Sequence, residues 1–131
     1  MTELKRILHV DDDEDIREIA NMALEMVGEF EVLQCACGQD AIEQAEAFAP
    51  DLFLLDYMMP DMDGEMTLNE LRKLPGLSDV PVVFMTARVQ KDMADNLRRN
   101  GALDVITKPF DPMELAGHLR EIWQAGSVSV S

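Results

Sequence analysis

Little in this sequence could staple the chain together or anchor it to anything. It holds two cysteines, Cys35 and Cys37, separated by one residue in a strand-to-loop stretch. They are too close to tie distant elements together and too few for a structural zinc site, so reduced, partly buried thiols are expected. Basic residues are scarce, 11 against 26 acidic, for a net charge of −15. Such a balance opposes nucleic acid phosphates and anionic lipid across a broad face. It points to partners that are basic or apolar at the contact, and to no direct nucleic acid binding. No apolar run approaches the roughly 20 residues a membrane span needs, and Met1 to Lys5 lacks the hydrophobic region of a signal peptide. A cytoplasmic protein without membrane contact is expected. His9 lies inside a strand with no second histidine nearby, which suits a hydrogen-bonded core residue better than a metal ligand. No repeat or low-complexity block occurs.

What is present is an alternation of short apolar strands and amphipathic helices. With 131 residues, 47% of them hydrophobic, the chain has room for one domain with a real core. Arg6 to Val10 is an apolar strand ending in Asp11-Asp12-Asp13. From Asp13 onward, Ile16, Ile19, Ala20, Ala23, Met26 and Val27 recur at three- and four-residue spacing, which predicts a helix with that face inward, stopped by Gly28. Val32 to Ala36 is a less apolar strand suited to a sheet edge. The helix from Gly38 to Ala49 turns Ala41, Ile42, Ala45 and Phe48 inward and ends at Pro50. Leu52-Phe53-Leu54-Leu55 reads as a strand buried on both faces, halting at Asp56 before the turn residues Pro60 and Asp63-Gly64. A helix from Glu65 to Lys73 buries Met66, Leu68 and Leu71, and Val80 to Met85 is a strand ending at Thr86-Ala87.

Val89, Met93 and Leu97 then mark a thin apolar stripe on a helix closed by Asn100-Gly101, expected to be the least firmly anchored of the five. Leu103 to Thr107 is the last strand, ending at Lys108-Pro109. Asp111-Pro112-Met113-Glu114 is a capping box opening a helix that buries Leu115, Leu119 and Ile122, with Trp123 shielding its end. The ten methionines read as core filler, with Met58, Met59 and Met62 as exceptions near the rim. The domain should span residues 1–124, with 125–131 a flexible tail or linker stub.

Five strands alternating with five helices imply an α/β fold, a doubly wound parallel sheet covered on both faces, because parallel strands need crossovers and crossovers are right-handed. The two common doubly wound orders remain, of which five strands favour the flavodoxin-like 2-1-3-4-5, in which ligands bind beyond the carboxyl ends of strands one and three. Asp11, Asp12 and Asp56 would meet there, with Thr86 and Lys108 on the same rim. Carboxylates about 4 Å apart repel by roughly 4 kcal/mol per pair at an effective dielectric near 20. A divalent cation removes the difficulty. All-oxygen ligands open to water and to a phosphoryl oxygen suit Mg2+, with Mn2+ able to substitute. Lys108 offers a point charge and the Thr86 hydroxyl a donor to a phosphoryl group. Asp56, between the metal acids and these two, is the candidate nucleophile for phosphoryl transfer onto a carboxylate. Asp13 is better read as a helix cap, and Asp61 and Asp63 as loop and turn residues.

Val10-Asp11-Asp12-Asp13, the run from Leu55-Asp56 through Pro60 to Asp63-Gly64, Met85-Thr86-Ala87 and Thr107-Lys108-Pro109-Phe110 resemble, in that order, the receiver (CheY-like) domain of bacterial two-component response regulators. The resemblance covers nearly the whole chain. It implies that Asp56 accepts a phosphoryl group from the phosphohistidine of a sensor histidine kinase or histidine phosphotransfer protein. It implies further that Asp12 binds magnesium directly, Asp11 mainly through water, and that the Met58 backbone carbonyl completes the protein ligands. A cis peptide before Pro109 would aim Lys108 at the phosphoryl group, and the small Ala87 would leave that group accessible. Arg88 and Met58 would flank it and set its lifetime. The family commonly reports to a downstream target or output domain through the face of the fourth helix, fifth strand and fifth helix, as a monomer or a weak phosphorylation-dependent dimer. The sequence shows no output domain, so it fits a stand-alone receiver or one excised from a longer chain. The aromatic switch residue usual three positions before the family lysine is Val105 here, so signalling would lean on Thr86 and the helix after it.

Three other readings compete. A degenerate receiver could act as an interaction module only, against which all five polar site residues stand. A magnesium-dependent aspartyl phosphatase would want a second aspartate two residues after the nucleophile, where Met58 stands. A flavodoxin-like electron carrier would need a first loop welcoming flavin phosphate, and this loop is aspartates.

Overall fold

Five parallel strands carry everything else: β1 (Arg6–Val10), β2 (Glu31–Cys35), β3 (Leu52–Asp56), β4 (Val82–Thr86) and β5 (Asp104–Thr107). The computed structural model describes residues 3–87 and 90–129. Within it the strands lie in the order β2-β1-β3-β4-β5, the one of the two doubly wound orders that five strands favour. The helices are α1 (Glu14–Asn21), α2 (Gly38–Phe48), α3 (Gly64–Leu71), α4 (Lys91–Arg99) and α5 (Leu115–Ser129). None among the described residues is long and apolar enough to cross a membrane.

β3 and β4 are buried at every position, which is why they read as unbroken apolar runs. Alternate residues serve opposite faces. Leu8, Val10, Phe53, Leu55, Phe84 and Val105 pack against α2, α3 and α4 through Ala41, Ala45, Leu71 and Leu97. Ile7, Leu52, Leu54, Val83, Met85 and Ile106 meet Leu24 and the α5 residues Leu115, Leu119 and Ile122 on the other side. Register then levels the strand ends, since Val10 lies beside Leu55, Asp56 beside Met85 and Thr86 beside Thr107.

The first helix departs from its predicted face. Residues Met22–Val27 continue α1 as a π-helical turn, in which the Gly28 N–H reaches back to the Ala23 carbonyl at 3.1 Å. Ala20 and Ala23 are buried as expected, but Ile19 is exposed on the regular part of the helix, and beyond Asn21 the extra residue per turn brings Leu24 inside and leaves Met26 and Val27 exposed. Gly28 is required where this segment meets α5, because a Cβ there would lie 2.6 Å from that of Ala116.

Other expectations need correction. Met66 is exposed, and the α3 face turned inward is Thr67, Leu68 and Leu71. Of the methionines expected as core filler, Met85 is fully buried and Met93 packs partly against the core, but Met22, Met26, Met66 and Met113 are exposed, as is Met58, one of the rim exceptions. They occur on helix and loop surfaces, where an unbranched side chain costs little helix propensity. Asp111 caps a turn instead of the first turn of α5, accepting from the Met113 N–H at 2.9 Å before the regular helix begins at Leu115. The helix spans Leu115–Ser129.

Several local readings hold. Asp13 caps α1, its carboxylate accepting from the Asp15 and Ile16 N–H groups. Asp61 sits in a left-handed turn at φ 66°, and Asp63, read as a turn residue, in addition caps α3 through the Met66 N–H. Gly101 closes α4 at φ 106°. Cys35 is buried, Cys37 exposed, and both are free.

Candidate functional site

The level strand ends deliver Asp11, Asp56, Thr86 and Lys108 to one rim, and all but Lys108 are buried outright. Lys108 is the centre of the arrangement. Its Nζ lies 2.7 Å from Asp11 Oδ2 and 3.3 Å from Asp56 Oδ1, with a side chain only 14% exposed. The peptide joining Lys108 to Pro109 is cis, and the Lys108 N–H donates to the Thr86 carbonyl at 2.8 Å. Asp11 Oδ1 accepts from the Asp13 N–H at 2.9 Å, and Asp56 Oδ1 accepts from the Met58 N–H at 3.3 Å. One carboxylate oxygen each from Asp11, Asp12 and Asp56 falls within 4.8 Å of the others. Asp12 is exposed.

The electrostatics follow from this crowding. Burial first, then the charge of Asp11, pushes Asp56 up to about 7 against the opposing pull of Lys108. Burial works against the Lys108 ammonium, but its hydrogen bond to Asp11 and the charges of Asp11 and Asp56 hold its pKa above the ordinary value. One ammonium therefore faces three acids. A compact divalent cation would supply the missing charge, and a donor set made wholly of oxygen, one member open to water, fits a hard ion such as magnesium.

Beside the acids opens a cavity of about 440 Å³ lined by Asp56, Tyr57, Met58, Thr86, Ala87, Gln90, Met93 and Lys108. Its wall reaches from the β3 carboxylate to α4, so an occupant beside Asp56 would touch the helix that follows Thr86. The side chain of Met58 is exposed at the mouth. Arg88 and Val89 lie outside the described residues.

Sequence reasoning missed Tyr57 and Glu65. The Tyr57 hydroxyl donates to Glu65 Oε1 at 2.9 Å, its ring stands edge-on to Phe84 at 5.8 Å, and the bond to Glu65 raises the phenol's pKa. It also missed Gln90 and Met93 as cavity lining, and the role of Gln34 and Arg17 beneath the acids. A glutamine inside the strand Glu31–Cys35 was the available signal. His9 is fully buried as expected, its Nδ1 3.0 Å from Gln34 Nε2.

Comparison with known proteins agrees with the geometry. A family model described as the response regulator receiver domain matches residues 7–120. A protein named a probable transcriptional regulator, ycf27, from Cyanophora paradoxa is 40% identical over 120 residues, covering 90% of this chain and 48% of the relative. The phosphate regulon transcriptional regulatory protein PhoB of Escherichia coli K12 is 36% identical over 118 residues, 90% of this chain and 51% of the relative. The chain thus spans about half the length of the curated relatives it matches. Among solved structures, chemotaxis protein CheY4 of Vibrio cholerae superposes with a TM-score of 0.82 at 26% identity, over 91% of this chain and 98% of its own. A CheY-like receiver domain protein from Methanospirillum hungatei gives 0.79 at 28%, over 97% and 99%.

Proposed function

The chain belongs to the response regulator receiver domain family, and from that premise we propose that it is a phosphoacceptor switch of a two-component system with Asp56 as the acceptor. The observation that carries the proposal is the bridge of Lys108 between Asp11 and Asp56, at 2.7 and 3.3 Å, at the mouth of a cavity that reaches α4. The donor is a phosphohistidine of a sensor kinase or histidine phosphotransfer protein. Asp56 attacks phosphorus as the carboxylate, the bond from phosphorus to imidazole nitrogen breaks, and the imidazole leaves and takes up a proton.

Asp11, Asp12, Asp56 and the Met58 carbonyl would hold Mg2+ or Mn2+, which neutralises the charge gathered on the transferring group. Lys108 pairs with one phosphoryl oxygen and the Thr86 hydroxyl donates to another. The protein is a signalling switch that catalyses its own phosphorylation and dephosphorylation and acts on no separate substrate. We place it in the cytoplasm.

The report goes to a downstream protein or to an output segment through α4, β5 and α5. Supporting this, an open groove of about 690 Å³ runs along the exposed edge of β5, lined by Val105, Phe110, Met113 and His118 among others. With Val105 in place of a switchable ring, Thr86 and the cavity-facing Gln90 and Met93 carry the change into α4. At a net charge of −15 this segment makes no direct contact with nucleic acid in our reading.

The test is intact-mass measurement of wild type and Asp56→Asn after incubation with a small acyl phosphate, with and without magnesium. The expected result is a magnesium-dependent gain of one phosphoryl group in the wild type alone. Equal gain in the variant would refute the assignment of the acceptor.

A further inference from the structure

β2 sends no side chain into the acidic cleft, yet its half-buried Gln34 is the hub of a hydrogen-bond relay that ends there. The Gln34 amide donates from Nε2 to the Arg17 carbonyl at 2.7 Å and meets Nδ1 of the fully buried His9 at 3.0 Å. Arg17, in turn, donates from Nη1 to the carbonyl of Asp11 at 2.8 Å. That carbonyl belongs to the peptide linking Asp11 to Asp12. The same turn is held at two further points, by the Asp11 N–H on the Cys35 carbonyl at 3.1 Å and by Asp11 Oδ1 on the Asp13 N–H at 2.9 Å.

We infer that Gln34 and Arg17 are positioning residues for the cation-binding acids: Gln34 fixes Arg17, and Arg17 fixes the plane of the Asp11–Asp12 peptide, from which the exposed Asp12 projects. The inference rests on the reading of Asp11, Asp12 and Asp56 as a magnesium site. Asp12 needs such a brace more than its neighbours do. Asp11 and Asp56 are buried and tied to Lys108, whereas Asp12 is exposed, so the plane of its backbone does more to set its direction. Groups must be held to within a fraction of an ångström for their affinity to be realised, and rigid supports do this.

The chemistry gives the test an unusual discrimination, because a brace and a mere charge predict opposite signs. Arg17 is a cation close to a cation site. If only its charge mattered, Arg17→Met would tighten magnesium binding by relieving repulsion. As a brace, its loss weakens binding. Gln34→Leu changes no charge and should weaken binding in the same direction. Because Gln34 acts through Arg17, the double variant should bind no more weakly than Arg17→Met alone, a non-additivity expected of residues in one chain of contacts.

The experiment is titration of the full chain with magnesium chloride by calorimetry, on wild type, Arg17→Met, Gln34→Leu and the double variant. Alongside it, amide NMR spectra and urea unfolding without metal identify which variants remain folded. We expect a roughly tenfold rise in the magnesium Kd for Arg17→Met, a smaller rise for Gln34→Leu, no further rise in the double variant, and broadened amide signals for Asp11 to Asp13. Unchanged or tighter magnesium binding by folded variants overturns the brace while leaving the site itself standing. Absence of magnesium binding in the wild type overturns the site and the brace together. If Arg17→Met does not fold, Gln34→Leu with the amide signals of Asp12 decides the matter, since sharp, unshifted signals refute the relay.

Discussion

Asp56→Asn should make the metal-free protein more stable at alkaline pH, although it removes the proposed nucleophile. One oxygen of Asp56 lies within 4.8 Å of oxygens on Asp11 and Asp12 and 3.3 Å from the Lys108 ammonium. At an effective dielectric near 20, each like charge costs Asp56 about 3.5 kcal/mol or more, and Lys108 offsets about 5. About 2 kcal/mol of net repulsion is left before burial is counted. Titration leads to the same place: a rise from 3.8 to about 7 corresponds to about 4 kcal/mol at about 1.4 kcal/mol per unit.

Because the folded-state value is raised, this contribution is fully present below pH 3.8 and is lost as pH rises through about 7. Some 3 kcal/mol of it, to order of magnitude, falls between pH 5 and pH 8. Asparagine has no proton to lose there. Urea unfolding of wild type and variant in a chelating buffer, followed by circular dichroism, should show the variant gaining about 2–4 kcal/mol on the wild type between those two pH values. Added magnesium should narrow the gap by stabilising the wild type more. A difference between the two proteins that stays constant from pH 5 to pH 8 would refute the claim that Asp56 is a crowded, reluctant carboxylate.

Lys108→Ala leaves Asp11 and Asp56 unopposed and should cost about 3–5 kcal/mol without metal, as for a broken buried pair. It should also tighten magnesium binding in calorimetry, because a competing cation is gone. His9 acts with the opposite pH sign. Burial lowers it from 6.5 to about 4, so its contribution is present above pH 6.5 and lost as pH falls through 4, and His9→Gln should flatten the loss of urea stability over that interval by up to about 3 kcal/mol. Gly64→Ala would place a Cβ 2.6 Å from the Asp56 carbonyl oxygen and 3.0 Å from Tyr57 Cα. The expected cost is about 1–3 kcal/mol in urea unfolding, as for other overpacked sites, together with slower phosphorylation by a small acyl phosphate.

Elements whose signal is local and exclusive were legible in the sequence. A strand such as Leu52–Asp56 can be buried on two faces only if helices cover both, and that requirement implies the parallel sheet and its cleft. The cap Asp13 announces itself because a short acceptor before a helix has few other uses, whereas Asp63, read only as a turn residue, caps α3 as well. Illegible were features decided by a residue's distant partner. The end of the first helix was misjudged because a period of 3.6 was carried through Met22–Val27, where the helix is π. Met66 was placed inside because methionine is apolar, but nothing local says which side of a helix meets the sheet. The strand from Val32 to Ala36 read only as less apolar, and nothing local announced that Gln34 finds its partners, Arg17 and His9, on two other elements. The same limit hid Tyr57, whose hydroxyl finds Glu65 only once α3 has folded back on β3.

Asp11, Asp56 and Lys108 come from the ends of three strands that no hairpin connects. Each strand reaches its neighbour only after a crossover through a helix, and the ammonium that joins the two carboxylates arrives with the last strand of the sheet. A ribosome-bound chain, or one with β5 detached, therefore carries the aspartates without the geometry that relates them. Any phosphodonor that depends on that geometry discriminates between finished and unfinished molecules without a separate inspection step. A phosphorylated population of this protein would be, by construction, a folded one.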